Sequence, residues 1–150
     1  MPAKQKPSRR SACPINASLE IFGDRWSLLI IRDLMLRGFR TYKEFLSSDE
    51  GIATNILAAR LQRLEAAGII TTNRDAEDRR KVVYGLTKKG IDLAPILVEL
   101  LLWSAQYEAT GAPPALVRKM KAKREQFLAE IRGNWEEGGT ATFIPGAKKG

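Results

Sequence analysis

The chain has 150 residues, 44% of them hydrophobic, and a formal net charge of +8. That is room for one domain with a real core, and too apolar a composition for a disordered chain. One cysteine, Cys13, and no histidine exclude an internal disulfide, zinc sites built from several Cys or His ligands, and the usual Ser-His or Cys-His catalytic pairs.

No apolar run approaches the roughly 20 residues of a membrane-spanning helix, and the basic start lacks the apolar centre of a secretory signal. A cytoplasmic protein that is not an enzyme, with no cofactor and no membrane partner, is therefore expected. Residues 1–12, with Lys4, Lys6, Arg9, Arg10 and no acid, are predicted to form a basic flexible arm. The rest of the positive excess falls in 74–89, 118–137 and the final Lys148 and Lys149, while the remainder is net acidic. Concentrated basic segments suit a polyanionic partner, although solubility alone also accounts for them.

Pro14 to Phe22 reads as a short helix, with Ile15, Leu19 and Phe22 on one side. Gly23 and Asp24 interrupt it. Trp26 to Leu36 is apolar nearly all round, as in a helix buried on several sides, and Gly38 stops it. Thr41 and Glu44 have capping-box spacing for a third short helix whose apolar side is Tyr42, Phe45 and Leu46. After a turn at Ser47 to Gly51, a fourth helix is predicted from about Ala53 to Ala67, ended by Gly68. The period then becomes two. Ile69 to Arg74 and Lys81 to Leu86 read as strands around the charged loop that begins at Asp75, with Val82, Tyr84 and Leu86 toward the core. Thr87 caps a helix from Lys88 to about Tyr107, expected to kink at Pro95. Gly111 to Pro114 breaks the chain before a last helix to about Trp135, and the tail from Gly138 carries no periodicity.

The predicted fold is mainly α with a small two-stranded β-wing, a winged helix-turn-helix with added N- and C-terminal dimerisation helices. Its second helix of the turn fits a DNA major groove, which is about 12 Å wide. In the Ala53–Ala67 helix, Leu57, Leu61 and Leu64 share one face, flanked by the stem of Arg60. The opposite face carries Asn55, Ala59, Gln62 and Arg63, with Thr54 and Ala58 beside it, and no acid. Asn and Gln pair with adenine edges and Arg with guanine or phosphate, which makes Asn55 the first candidate for a base contact. An ordinary amphipathic helix with a neutral polar face would look the same. Arg79, Arg80 and Lys81 follow the acids Asp75, Glu77 and Asp78 at the wing tip. They suit phosphate contact or a narrow minor groove, unless those acids neutralise them.

The runs Cys13-Pro14-Ile15, Gly23-Asp24-Arg25-Trp26-Ser27-Leu28-Leu29, Gly38-Phe39-Arg40-Thr41-Tyr42, Gly51 to Leu61, Leu64 to Ile70 and Tyr84 to Gly90, with Trp103, strongly resemble HxlR-type winged helix-turn-helix regulators. The resemblance covers about 90 residues. It implies a bacterial or archaeal DNA-binding dimer, usually a repressor, on a palindromic operator of double-stranded DNA. Arg40, within the matching runs, joins the candidate DNA contacts. Two departures stand out: Tyr42 occupies a position usually held by Phe, and the Asp/Arg-rich wing looks more like that of MarR-type regulators.

Residues 96–103 hold more apolar surface than one helix face can hide; part can pack on its own core, and the rest makes Leu97, Leu100, Leu101 and Trp103, with Ile15 and Leu19, candidate homodimer contacts. Two reading helices would then stand about 34 Å apart, one turn of DNA. Some HxlR-like regulators sense electrophiles or oxidants through a cysteine at the position of Cys13. The alternative for Cys13 is a small hydrophobe at the dimer contact, and an effector is otherwise unspecified. The chain thus divides into an arm (1–12), the winged domain (13–108), a helical extension (109–137) that extends the dimer interface, packs on its own subunit or adds phosphate contacts, the first being favoured, and a flexible tail (138–150). A winged-helix protein–protein module with incidental basic surface is the competing reading.

Overall fold

A computed structural model describes residues 10–144; the predicted arm residues Lys4, Lys6 and Arg9, and the tail beyond 144, lie outside them. The chain order is α1 (Pro14–Phe22), α2 (Ser27–Leu36), α3 (Tyr42–Leu46), α4 (Thr54–Ala66), β1 (Ile70–Arg74), β2 (Val82–Leu86), α5 (Lys88–Ile91), α6 (Ala94–Tyr107), α7 (Pro114–Ala122) and α8 (Arg124–Glu136). This is a winged helix-turn-helix, with α3 and α4 as the helix pair and β1–β2 as the wing. The strands pair antiparallel, Ile70 opposite Leu86 and Arg74 opposite Val82.

As its sequence predicts, α2 is the central helix: Ile30, Ile31, Leu34, Met35 and Leu36 are all buried. Leu57, Leu61 and Leu64 of α4 are buried in the same core. Thr41 and Glu44 form the predicted capping box at the start of α3. Gly68 ends α4 with a φ of 76°, a conformation that favours glycine, and lets Ile69 N–H return to Leu64 O at 2.9 Å. In the wing, Tyr84 and Leu86 pack on the core as expected, whereas Val82, nearer the tip, does not belong to it.

Four expectations need correction. The helix after Thr87 is not continuous with a kink: α5 ends at Ile91, and Pro95 stands in the first turn of α6, where its missing N–H costs nothing. The last helix is also two, broken at Lys123, whose φ and ψ are −132° and 48°. The break falls in 121–126, a stretch with no large apolar side chain to pin it. Their apolar side, favoured for a dimer interface, packs on their own subunit. Met120, Phe127 and Ile131 are buried in the one core, and the Trp135 indole donates to Leu86 O at 2.8 Å. Finally, 138–144 is no free tail. It straps back over α2, with Phe143 N–H donating to Leu36 O at 2.7 Å, the Thr142 hydroxyl donating to Arg37 O, and Ile144 buried. Gly38 (φ 71°) permits this crossing, because a Cβ there would lie 2.5 Å from Thr140 O.

Candidate nucleic-acid interface

The polar face of α4 is open to solvent. Thr54, Asn55, Ala58, Ala59, Gln62 and Arg63 are all exposed. Among the described residues the side chains of Asn55 and Gln62 make no hydrogen bond, and Arg63 makes only a long one, 3.5 Å, to Glu20 O. Their polar groups are thus unspent, as groups that read base edges must be.

Several contacts fix where this face points. The Tyr42 hydroxyl donates to Thr54 O at 2.8 Å and so ties α3 to the first turn of α4. Asp24 does more. Its Oδ1 accepts from Trp26 N–H (2.9 Å), Ser27 N–H (3.0 Å) and Arg60 Nε (3.0 Å), and its Oδ2 from the Ser27 hydroxyl (2.5 Å). One carboxylate therefore caps α2 and anchors α4. Burial alone would raise its pKa. The Ser27 hydroxyl, the two backbone N–H groups and the Arg60 guanidinium more than reverse this, holding the carboxyl at about 2. A second cluster secures the turn between α3 and α4. Buried Asp33 accepts from Arg32 and Arg37, which reach on to Glu50 (2.9 Å) and Asp49 (3.5 Å).

The sequence pattern did not reveal either cluster as such. Asp24 was legible only as an interruption, although an Asp just ahead of an apolar helical run is a helix-start signal. Arg60 counted only as an apolar stem. The Asp33 network joins residues that are distant along the chain, and periodicity carries no sign of it.

At the wing tip the acids divide their roles. Asp75 accepts from the backbone N–H groups of Glu77 (2.8 Å) and Asp78 (3.0 Å), shaping the loop; those two bonds, in that reverse order of strength, lower its pKa. Asp78 pairs with Arg80 at 3.3 Å, yet the Arg80 side chain is 93% exposed. Arg79 has no ion pair among the described residues. The tip presents its basic groups outward.

Two candidate residues lie elsewhere than expected. Arg40 is turned inward: its Nε donates to Tyr84 O at 2.7 Å and its Nη1 to Gly138 O. It clasps the wing root to the strap and is not free for DNA. Leu97 is 8% exposed and belongs to the subunit core, because α6 turns that side toward α2. Leu101 is half-buried, whereas Ile15 (71%), Leu19 (57%), Leu100 (46%) and Trp103 (59%) are exposed. Ile96 and Tyr107 extend the α6 stripe at helical spacing. Cys13 is exposed immediately before α1. Among the described residues no helix is long and apolar enough to cross a membrane, and no acidic, Cys or His cluster could hold a metal.

Residues 21–111 match the HxlR-like helix-turn-helix family. The helix-turn-helix-type transcriptional regulator sll1512 of Synechocystis is 33% identical over 88 residues, 59% of this chain and 64% of that protein. The match thus spans a little under two thirds of that relative's length. YodB of Bacillus subtilis, a transcriptional regulator, is 34% identical over 100 residues, 66% of this chain and 88% of YodB. Its reduced form superposes with a TM-score of 0.55 at 32% identity, over 65% of this chain and 95% of that one. A quinone-bound form of YodB is also similar, with a TM-score of 0.51. The transcription factor PA1607 gives a TM-score of 0.62 at 37% identity, over 68% of this chain and 70% of its own. The chain belongs to the HxlR-like helix-turn-helix family, whose members similar to it are transcriptional regulators.

Proposed function

We propose that the protein is a sequence-specific transcription regulator of double-stranded DNA, a repressor that binds a palindromic operator as a homodimer. The observation that carries this reading is the exposed face of α4, whose Asn55 and Gln62 side chains are unspent within the subunit and whose one acid, Glu65, lies toward its C-terminal end. α4 enters the major groove by its N-terminal half, and Arg79, Arg80 and Lys81 meet the flanking phosphates.

Affinity and specificity then reside in different places. Arg79→Ala should weaken all sites alike and reduce the slope of log affinity against log salt by about one. Asn55→Ala should instead change which site is preferred, costing about 1–3 kcal/mol at the favoured base pair. Selection of bound oligonucleotides, followed by fluorescence anisotropy across a salt series, measures both. Binding that is indifferent to salt, or a selection that enriches no sequence, would leave the protein–protein module as the better reading, and an unaltered preference in Asn55→Ala would take the base contact away from Asn55.

A thiol-directed effector has one target in this chain, Cys13. The thiolate would add to a ring carbon of a quinone, forming an S–C bond and leaving the ring at the hydroquinone level. The adduct would sit two residues from Ile15, at the proposed dimer contact. Benzoquinone should release DNA from the wild type and not from Cys13→Ser. Equal release from both would end the sensor assignment.

A further inference from the structure

At the root of the wing a cavity of ≈ 150 Å³ lies among α2, both strands, α8 and the strap. Leu34 and the Trp135 ring are among its apolar walls, and Trp135 is held there by its bond to Leu86 O. Its polar wall includes Arg40, Thr71 and Asn134. A Cβ built on Gly85 would lie 3.4 Å from Thr71 Oγ1 and 3.5 Å from Arg40 Nη2, so hydroxyl and guanidinium both border Gly85, the hydroxyl making only long bonds to Gly85 O (3.5 Å) and from Asn73 (3.4 Å). Among the described residues Arg40 Nη2 has no hydrogen-bond partner, and neither does the Asn134 amide nitrogen, whose oxygen accepts from Ala141 N–H.

The charge is the telling feature. Six arginines of the described residues are half-buried: Arg32, Arg37, Arg40, Arg60, Arg124 and Arg132. Five of them hold a carboxylate. Arg40 alone holds only backbone carbonyls, and it faces the cavity. A partly desolvated guanidinium is best satisfied by a planar anion that takes two N–H groups at once. A cavity of about 150 Å³ has room for a benzene-sized body.

We infer that this cavity is a binding site for a small monocarboxylate with an apolar body of about one ring, its carboxylate on Arg40, Thr71 and Asn134. Its role as an effector site rests on the DNA-binding reading. Arg40 grips β2 twice, through its Nε to Tyr84 O and by accepting Tyr84 N–H at 2.7 Å on its own carbonyl. A carboxylate that draws the guanidinium toward its Nη2 edge therefore acts on β2 and, through Gly138, on the strap. The strand leads directly to the basic wing tip, so occupancy changes DNA affinity.

Titrating the full chain with benzoate, hexanoate and neutral benzamide, without DNA, tests the site by tryptophan fluorescence and calorimetry. Saturable binding of one carboxylate per chain is expected, with benzamide at least about tenfold weaker because the charged hydrogen bonds are lost. Arg40→Met should lose affinity by a similar factor, but it also breaks the clasp on the wing. Gly85→Ala supplies the control: its methyl group meets only ordinary contacts, narrows the cavity beside Nη2, and should weaken binding without lowering the unliganded melting temperature. Failure of both carboxylates to bind, equal binding of benzamide, or full affinity in Gly85→Ala would each overturn the site. DNA affinity measured with saturating benzoate separates the readings. A carboxylate that binds and leaves DNA affinity unchanged removes the effector role. A chain that binds benzoate and never binds DNA counts against the regulator reading alone.

Discussion

Leu100→Glu is expected to convert the protein from a dimer of about twice 16.7 kDa to a monomer, and to weaken operator binding by about 100-fold or more. Ile96, Leu100, Trp103 and Tyr107 recur along α6 at i, i+4, i+7 and i+11, all exposed in the single subunit. Four large apolar side chains in one stripe form a contiguous patch, which marks an association surface more than scattered exposure does. Trp103 and Tyr107 rings lie 5.7 Å apart, ready-ordered for burial. Within the subunit the change should be nearly neutral, about 0.5 kcal/mol or less, because Leu100 already faces solvent. In a two-fold interface the same change places an uncompensated carboxylate on both sides at once. The two half-sites then bind independently, and the gain from linking them is lost. Sedimentation gives the mass and anisotropy the affinity. An unaltered dimer mass, or a monomer that holds the operator as tightly as wild type, would reject the α6 interface. Leu97→Glu is the instructive contrast, since it should unfold the subunit instead.

That contrast shows where sequence reasoning works and where it ends. Helix faces follow from spacing, so the α4 split between Leu57, Leu61, Leu64 and Asn55, Gln62 was readable, as were the capping box and the wing. An apolar surplus on residues 96–103 was readable too, but not which residues turn inward. Leu97 faces α2 and Leu100 does not, and that depends on the entry of α6 after the break before Ala94. The strap was invisible for a similar reason. Phe143 and Ile144 are two apolar residues in an aperiodic stretch, and they matter only because Gly38 leaves space for the chain to cross. Arg40 shows the opposite failure. Its place in the matching runs suggested DNA, but its role is decided by backbone carbonyls of Tyr84 and Gly138, which no side-chain pattern encodes.

Asp24→Ala is expected to destabilise the fold by about 2–4 kcal/mol, combining a lost helix cap with a lost ion pair. For a chain of this size that is a fall in melting temperature of roughly 5–15 °C. The carboxylate accepts from Trp26 and Ser27 N–H groups and from Arg60. Alanine leaves the two N–H groups at the start of α2 without their acceptor and frees the guanidinium on α4. The pH dependence identifies the cause. The carboxyl titrates at about 2 in the folded chain, against an ordinary value of 3.8. A lowered folded pKa means that its contribution is fully present above the unfolded value and disappears as pH falls toward 2. The shift corresponds to about 2 kcal/mol. Asp24→Asn should therefore flatten the stability profile between about pH 5 and 2 while lowering its neutral plateau. Denaturant unfolding at pH 7, 4.5 and 3 reads both effects. Arg60→Met separates anchoring from capping: α2 keeps its cap, so most stability survives, while α4 loses the tether that orients Asn55 and Gln62 and operator affinity falls. If Arg60→Met binds the operator as wild type does, then Leu57, Leu61 and Leu64 alone orient the reading helix and Asp24 serves only α2.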